Sequence, residues 1–217
     1  MDKYVIDAKG MDVKELNRTI KRQAKEHDCL IIDNPESEHN ICAGLTGEVD
    51  IIINGSAGYF VGTMVNGPKI HINGNAGWFA GDNMTEGELI IEGTAGDGAG
   101  QGIYGGTVIV KGNTGSRTGE IMKGGTVIIG GNSGYMTGLL MMGGRLIILG
   151  DVTDDVGESI MRGTIFVLGD VKSLGKNAVM DETTADDLDD LRQILTEYGF
   201  NLSDDDYSNF KKIVNMQ

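Results

Sequence analysis

The residues that could carry chemistry are few, and their spacing does not bring them together. The histidines are His27, His39 and His71, and the cysteines are Cys29 and Cys42. Structural zinc sites need closely spaced pairs of such ligands, and no C-x-x-C pair occurs. Cys29 has only His27 beside it as a cation that could favour the thiolate, so it lacks the electropositive surroundings of a reactive thiol. Glu38-His39-Asn40 is the one compact polar cluster, and His39 and Asn40 are candidate contact residues. Its alternative reading is a turn whose polar groups are satisfied internally. Gly100 to Gly105, GQGIYG, fits the dinucleotide fingerprint G-x-G-x-x-G, but that motif must follow a strand and open a helix. Here it precedes an apolar run, Thr107 to Lys111, that reads as a strand. There is no Walker A pattern and no G-x-S-x-G elbow, so no nucleophile motif supports a hydrolase or esterase. Ser56, Ser116 and Ser133, like Asp97, Asp154 and Asp155, fall where corners favour small polar residues. Met84, Met122 and Met141 read as core filling. The sequence thus places no catalytic, cofactor-binding or metal-binding constellation in this chain.

What the residues do show is a repeat. Blocks begin at Val49, Pro68, Gly87, Gly106, Gly125, Gly144 and Gly163, and the glycine after each apolar run recurs at 55, 74, 93, 112, 131, 150 and 169. Every step is nineteen positions, without a gap. A fixed period of about 20 residues is the mark of stacked supersecondary units. The third block position is Ile51, Ile70, Leu89, Val108, Val127, Leu146 or Ile165, and the fifth is Ile53, Ile72, Ile91, Val110, Ile129, Ile148 or Val167. Alternate residues of a strand share a face, and these are aliphatic and mostly β-branched. A further apolar column holds Val65, Met84, Ile103, Met122, Met141 and Ile160. Cys42 stands one full period before the apolar Val61, which predicts a buried structural thiol. A period this short cannot hold a βαβ unit but suffices for one coil of a parallel β-helix. The expected fold is therefore all-β, a single-stranded parallel β-helix over 30–180, with seven coils making a rod of about 34 Å. The glycine after each run is expected to supply positive φ at a corner.

The ends of such a rod expose strand edges that need covers. Residues 1–29 read as a cap, with a helix from Val13 to Glu26 and Asp12 as its N-cap. Residues 30–44 read as a degenerate leading coil. Residues 181–217 form an acidic tail, with ten acids against three bases and helices expected over 184–198 and 203–214. The fourth block position should point outward, yet it holds Ile52, His71, Ile90, Ile109, Ile128, Ile147 and Phe166. An outward column that is apolar at six of seven positions needs a cover. The candidates are the chain's own terminal helices or another subunit. The N-terminal helix offers a matching stripe in Val13, Leu16, Ile20 and Ala24.

Composition narrows the setting. Glycine accounts for 35 of 217 residues and proline for only 2, which suits a tightly turning repeat and not collagen. The net charge of −14 argues against nucleic acid and against an anionic membrane surface as partners. The N-terminal stretch MDKYVIDAKGMD has no apolar run, and the two cysteines make no disulfide framework, so a soluble, reducing, cytoplasmic setting is expected.

Several phrases resemble a known family: HNICAGL at 39–45, GYFVG at 58–62, NGPKIHINGNAGWFAGDNM at 66–84 and GGTVIVKGNTGSRTGEIMKGGTVIIGGNSGYMTG at 105–138. They are similar to the GXGXG domain at the C-terminal end of the glutamate synthase large subunit, and most like its archaeal, stand-alone form. The resemblance covers about residues 1–180, with Glu38 standing where close relatives carry arginine. Related repeats occur in the C-type subunit of formylmethanofuran dehydrogenase and in subunits of N-methylglutamate synthase-type complexes. The resemblance implies a right-handed β-helix without catalysis of its own. It also implies glutaminase-type and FMN synthase-type partner subunits, in which the FMN and iron–sulfur clusters reside. Self-association stays open, and the esterase label attached to some such sequences finds no residues here to support it.

Overall fold

A computed structural model describes residues 2–216. The strands are β1 (Lys3–Asp7), β2 (Cys29–Asp33), β3 (Asp50–Asn54), β4 (Asn66–Ile72), β5 (Glu86–Ile91), β6 (Thr107–Val110), β7 (Thr126–Ile129), β8 (Met142–Ile148), β9 (Arg162–Val167), β10 (Ala178–Asp181) and β11 (Lys211–Asn215). The helices are α1 (Val13–Gln23), α2 (Ala185–Glu197) and α3 (Asp204–Ser208). The strands form one sheet in the order β1-β2-β3-β4-β5-β6-β7-β8-β9-β11-β10. Neighbours from β1 to β9 are parallel, and β11 is antiparallel to both β9 and β10. The solenoid advances by one strand per sequence period, so Ile51, Ile70, Leu89, Val108, Val127, Leu146 and Ile165 sit in one register.

Both inward columns and the Val65-to-Ile160 column are buried in a single core. A fourth inward column, Val61, Ala80, Ala99, Thr118, Thr137 and Val156, completes the interior. The first coil is one residue longer, so Ile41 continues this column and Cys42 falls in register with Gly62; Cys42 is buried as expected, and burial pushes its thiol pKa up to about 12. The buried hydroxyls are not orphaned. Thr118 donates to Thr114 at 2.9 Å, Thr114 donates to Ser133 at 3.0 Å, and Ser133 bonds Thr137 at 2.7 Å. Ser133 therefore faces inward, a corner residue turned into the core.

The repeating glycine works differently from the expectation. Only Gly55 of that column has positive φ. The others are required because coils nearly touch there. A Cβ on Gly74 would lie 2.6 Å from the Gly55 backbone, and one on Gly169 would lie 2.4 Å from the carbonyl carbon of Gly150. The next residue locks the same corner. Asn113 Oδ1 accepts from Asn132 N–H, Asn132 Oδ1 from Asp151 N–H, and Asp151 Oδ1 from Asp170 N–H, each at 2.8 Å. The left-handed conformations lie elsewhere in each coil, at Gly62, Gly81, Gly100, Gly119, Gly138 and Gly157, and at side-chain-bearing positions such as Phe60, Phe79 and Arg117.

The two ends are closed by different devices. Asp12 caps α1 by accepting from Glu15 N–H at 2.8 Å. Leu16 and Ile20 pack into the core cluster, so the α1 stripe covers the end of the solenoid and not the outward column. Asn17 imitates a missing coil: its Oδ1 accepts from Cys42 N–H and its Nδ2 donates to Asn40 O, each at 2.8 Å. At the other end, the helix expected over 203–214 stops at Ser208. Lys211–Asn215 instead pairs with the open edge of β9, because Ile213 and Val214 suit a strand and β9 needs a partner.

Gly150→Ala is expected to destabilise the chain. The added Cβ would meet Asn132 Oδ1 at 2.2 Å and the Gly131 backbone at 2.6 Å. Overpacking against backbone costs about 1–3 kcal/mol, which a shift in urea midpoint would register. An unchanged midpoint would show that the coils are not in contact at this corner.

Candidate interaction face

The outward column is one continuous line across the sheet. Its register runs Val5, Ile31, Ile52, His71, Ile90, Ile109, Ile128, Ile147 and Phe166. Val5 and Ile31 extend the expected column toward the N-terminus. The signal for them lies in the alternation of YVID and LIID, but these segments fall outside the regular spacing of the repeat.

The structure divides this line in two. Ile109, Ile128, Ile147 and Phe166 are buried in a second apolar cluster with Leu191, Leu195, Tyr207 and Phe210. The acidic tail thus covers four coils of its own chain. The 13 residues of α2 span about 19.5 Å, enough to cover the three interstrand steps of about 14 Å from Ile109 to Phe166. The helix lies along the rod: Asp187 and Asp190 line one cleft with Arg145, Thr164 and Phe166, while Tyr198 interacts with Thr107 at the far end. Cations of the solenoid and of β11 hold it. Lys111 donates to Tyr198 O, at the C-terminus of α2, and lies 4.0 Å from the centre of the Phe200 ring. Lys212 bonds Asp187 at 2.8 Å.

Ile52 and His71 lie beyond the reach of the tail, only partly buried, Ile90 packs against the border of the covered cluster, and Val5 is 54% exposed. His71 Nε2 lies 2.7 Å from Glu92 Oε1. A cleft of about 280 Å³ opens over this strip, lined by Ile52, His71 and Ile90 with Lys3, Asp50 and Lys69.

His39 and Asn40 are not on this face. They belong to the corner of the first coil. The His39 ring stacks on Tyr59 at 4.5 Å and Tyr59 on Trp78 at 4.9 Å, while His39 Nδ1 accepts from Tyr59 N–H at 2.9 Å. Each ring lies over a glycine of the next coil, so a Cβ on Gly58 would meet His39 at 2.2 Å. Asn40 has φ +57° and is held by Asn17. The G-x-G-x-x-G segment forms turns that lead into β6 with no helix following, and Ile103 within it is buried. Among the described residues, no group of three or more His, Cys, Asp or Glu is placed to hold a metal ion. No helix of the described chain is long and apolar enough to cross a membrane.

The fold and this face define a parallel β-solenoid with its own end caps and with one outer face only half covered. A family described as GXGXG motif matches residues 31–198, so the chain belongs to the GXGXG family, whose domain is found in glutamate synthase and related complexes. No curated protein matches the chain significantly.

The cover depends on ionised carboxylates. Burial works against ionisation of Asp187, but the Lys212 ammonium and the donors of Thr184 outweigh it and hold the carboxyl below its ordinary 3.8. The Ser203 hydroxyl and amide hold Asp206 down in the same way. A pKa lowered by folding contributes stability above the unfolded value, and that contribution disappears as pH falls through the folded one. The cover is therefore expected to loosen below pH 3.8, exposing Ile109, Ile128 and Ile147 and raising the fluorescence of an apolar dye. In Asp187→Asn the acid dependence should flatten and the cover be weaker at neutral pH. A dye response in Asp187→Asn identical to the parent's at every pH would contradict this account.

Proposed function

We propose that this chain is a non-catalytic structural subunit of a glutamate synthase-type amidotransferase and oxidoreductase complex. In this reading it fixes the relative positions of a glutaminase-type subunit and an FMN-binding synthase-type subunit, which carry the flavin and iron–sulfur chemistry. The observation that carries the reading is the match of the GXGXG family over residues 31–198, joined to an outward apolar column that the chain leaves partly open. Several polar side chains of the solenoid have structural work, which supports this reading. His39 is stacked and bonded at a corner, Cys42 is buried, and the Thr and Ser hydroxyls bond one another inside the solenoid. A rigid rod that each neighbouring coil supports is suited to hold two larger bodies at a fixed separation.

The test is co-expression with glutaminase-type and synthase-type chains from the same source. The three are expected to co-purify, with glutamine-dependent glutamate formation in the complex and none from this chain alone. Failure of the wild-type chain to associate with either, or turnover by the isolated chain, would overturn the reading.

A further inference from the structure

The open half of the outward column has the length, floor and edges of a helix-binding groove. Its floor runs from Val5 through Ile31 and Ile52 to His71, four neighbouring strands whose three steps span about 14 Å, with Ile90 at the border of the resident cover. That equals the length that α2 covers on the other half of the same column, where Leu191 and Leu195 are fully buried against the sheet. The chain itself thus shows which element seats on this surface: an amphipathic helix of about 13 residues laid along the rod. Tyr198, beside Glu88 and Lys69, marks where the resident cover stops and the open strip begins.

The edges say what charge the second helix carries. Along one edge stand Asp28, Glu48, Asp50, Glu86 and Glu88, with Lys69 among them. Along the other stand Asp7, Asp33 and Glu92, in the register that leads on to Lys111. Lys3 and Lys69 are the strip's own lysines, and only Lys69 is paired, with Glu88 at 3.1 Å. Among the described residues, none of the other seven carboxylates has a lysine or arginine within 4.0 Å. Eight carboxylates against two ammonium groups frame an apolar floor. In the covered half the polarity is reversed, for there cations at Lys111 and Arg145 meet an acidic helix. The helix α1 is basic and amphipathic, but its apolar side is already buried in the end of the solenoid, so α1 is not the occupant.

We propose that the strip from Val5 to His71 receives a basic amphipathic helix of a partner subunit, seated in line with α2. The proposal rests on the reading of this chain as a complex subunit and names the surface and the partner element. Ile52→Glu places a charge on the floor where the side chain is only partly buried, and Glu48→Lys with Glu86→Lys reverses one edge at exposed positions. Each variant is expected to keep the thermal midpoint of the isolated chain and to weaken partner binding at least about tenfold. Raised salt should weaken wild-type binding as well. A photo-crosslinking residue at position 71 should attach to a lysine- or arginine-bearing helix of the partner.

Wild-type association together with undiminished binding by both variants would overturn the groove while leaving the subunit reading intact. No association by the wild type would overturn both. Crosslinks to a loop or strand would overturn the helix. A dimer of the isolated chain that Ile52→Glu dissolves would make a second copy the occupant and overturn the partner assignment.

Discussion

The close approach of backbone to backbone at the glycine corner is the constraint on which the rest depends. Successive coils meet there with no room for a Cβ, so a glycine must recur at each step of the solenoid. The next position can then reach across to the following coil, and Asn and Asp side chains lock the corner by hydrogen bonds of 2.8 Å. With the corner fixed, strand follows strand in one register, and aliphatic columns fill the interior. A change that lengthened one coil would move every following side chain out of its column.

Stacking of this kind solves the interior and leaves the boundaries open. One end is met by α1, whose Asn17 supplies the acceptor that a preceding coil would have offered to Cys42 N–H and also donates to Asn40 O. The other end is met by β11, which runs against β9 and ends the parallel stack, and by β10 beyond it. The outer face is met in part, because the tail has one helix of suitable length and the column is about twice as long. A scaffold made this way has rigid geometry and a remaining apolar strip, and both suit a subunit whose task is to hold others in place.

The solenoid was legible because its period was written in every coil. The inward columns follow from alternation alone, and Ile129 and Ile148 are as buried as their pattern requires. The purpose of the repeating glycine was not legible, since the clash it avoids is with a residue one coil away and not with its own neighbours. The stripe of α1 announced burial without saying against what, so Leu16 and Ile20 fitted the sheet face as readily as the end of the rod. Asn17 gave no signal, because a polar residue within a helix usually faces water. Lys211–Asn215 followed a good helix start at Ser203, and only the presence of an open β9 edge made it a strand. The outward column itself was evident in the sequence. Its division at Ile90 was not, because it depends on where α2 ends and on the Lys111 contact with Tyr198.

In the proposed assembly one column serves two helices, its own and a partner's. Isoleucine methyl NMR with a soluble paramagnetic agent measures this directly, because each methyl reports its own access to solvent. In the isolated chain, the agent should broaden the methyls of Ile31 and Ile52 and leave those of Ile109, Ile128 and Ile147 untouched. In the assembled complex, Ile31 and Ile52 should become as protected as the other three. Persistent broadening of Ile52 in the complex, or equal protection of all five methyls in the isolated chain, would contradict the account.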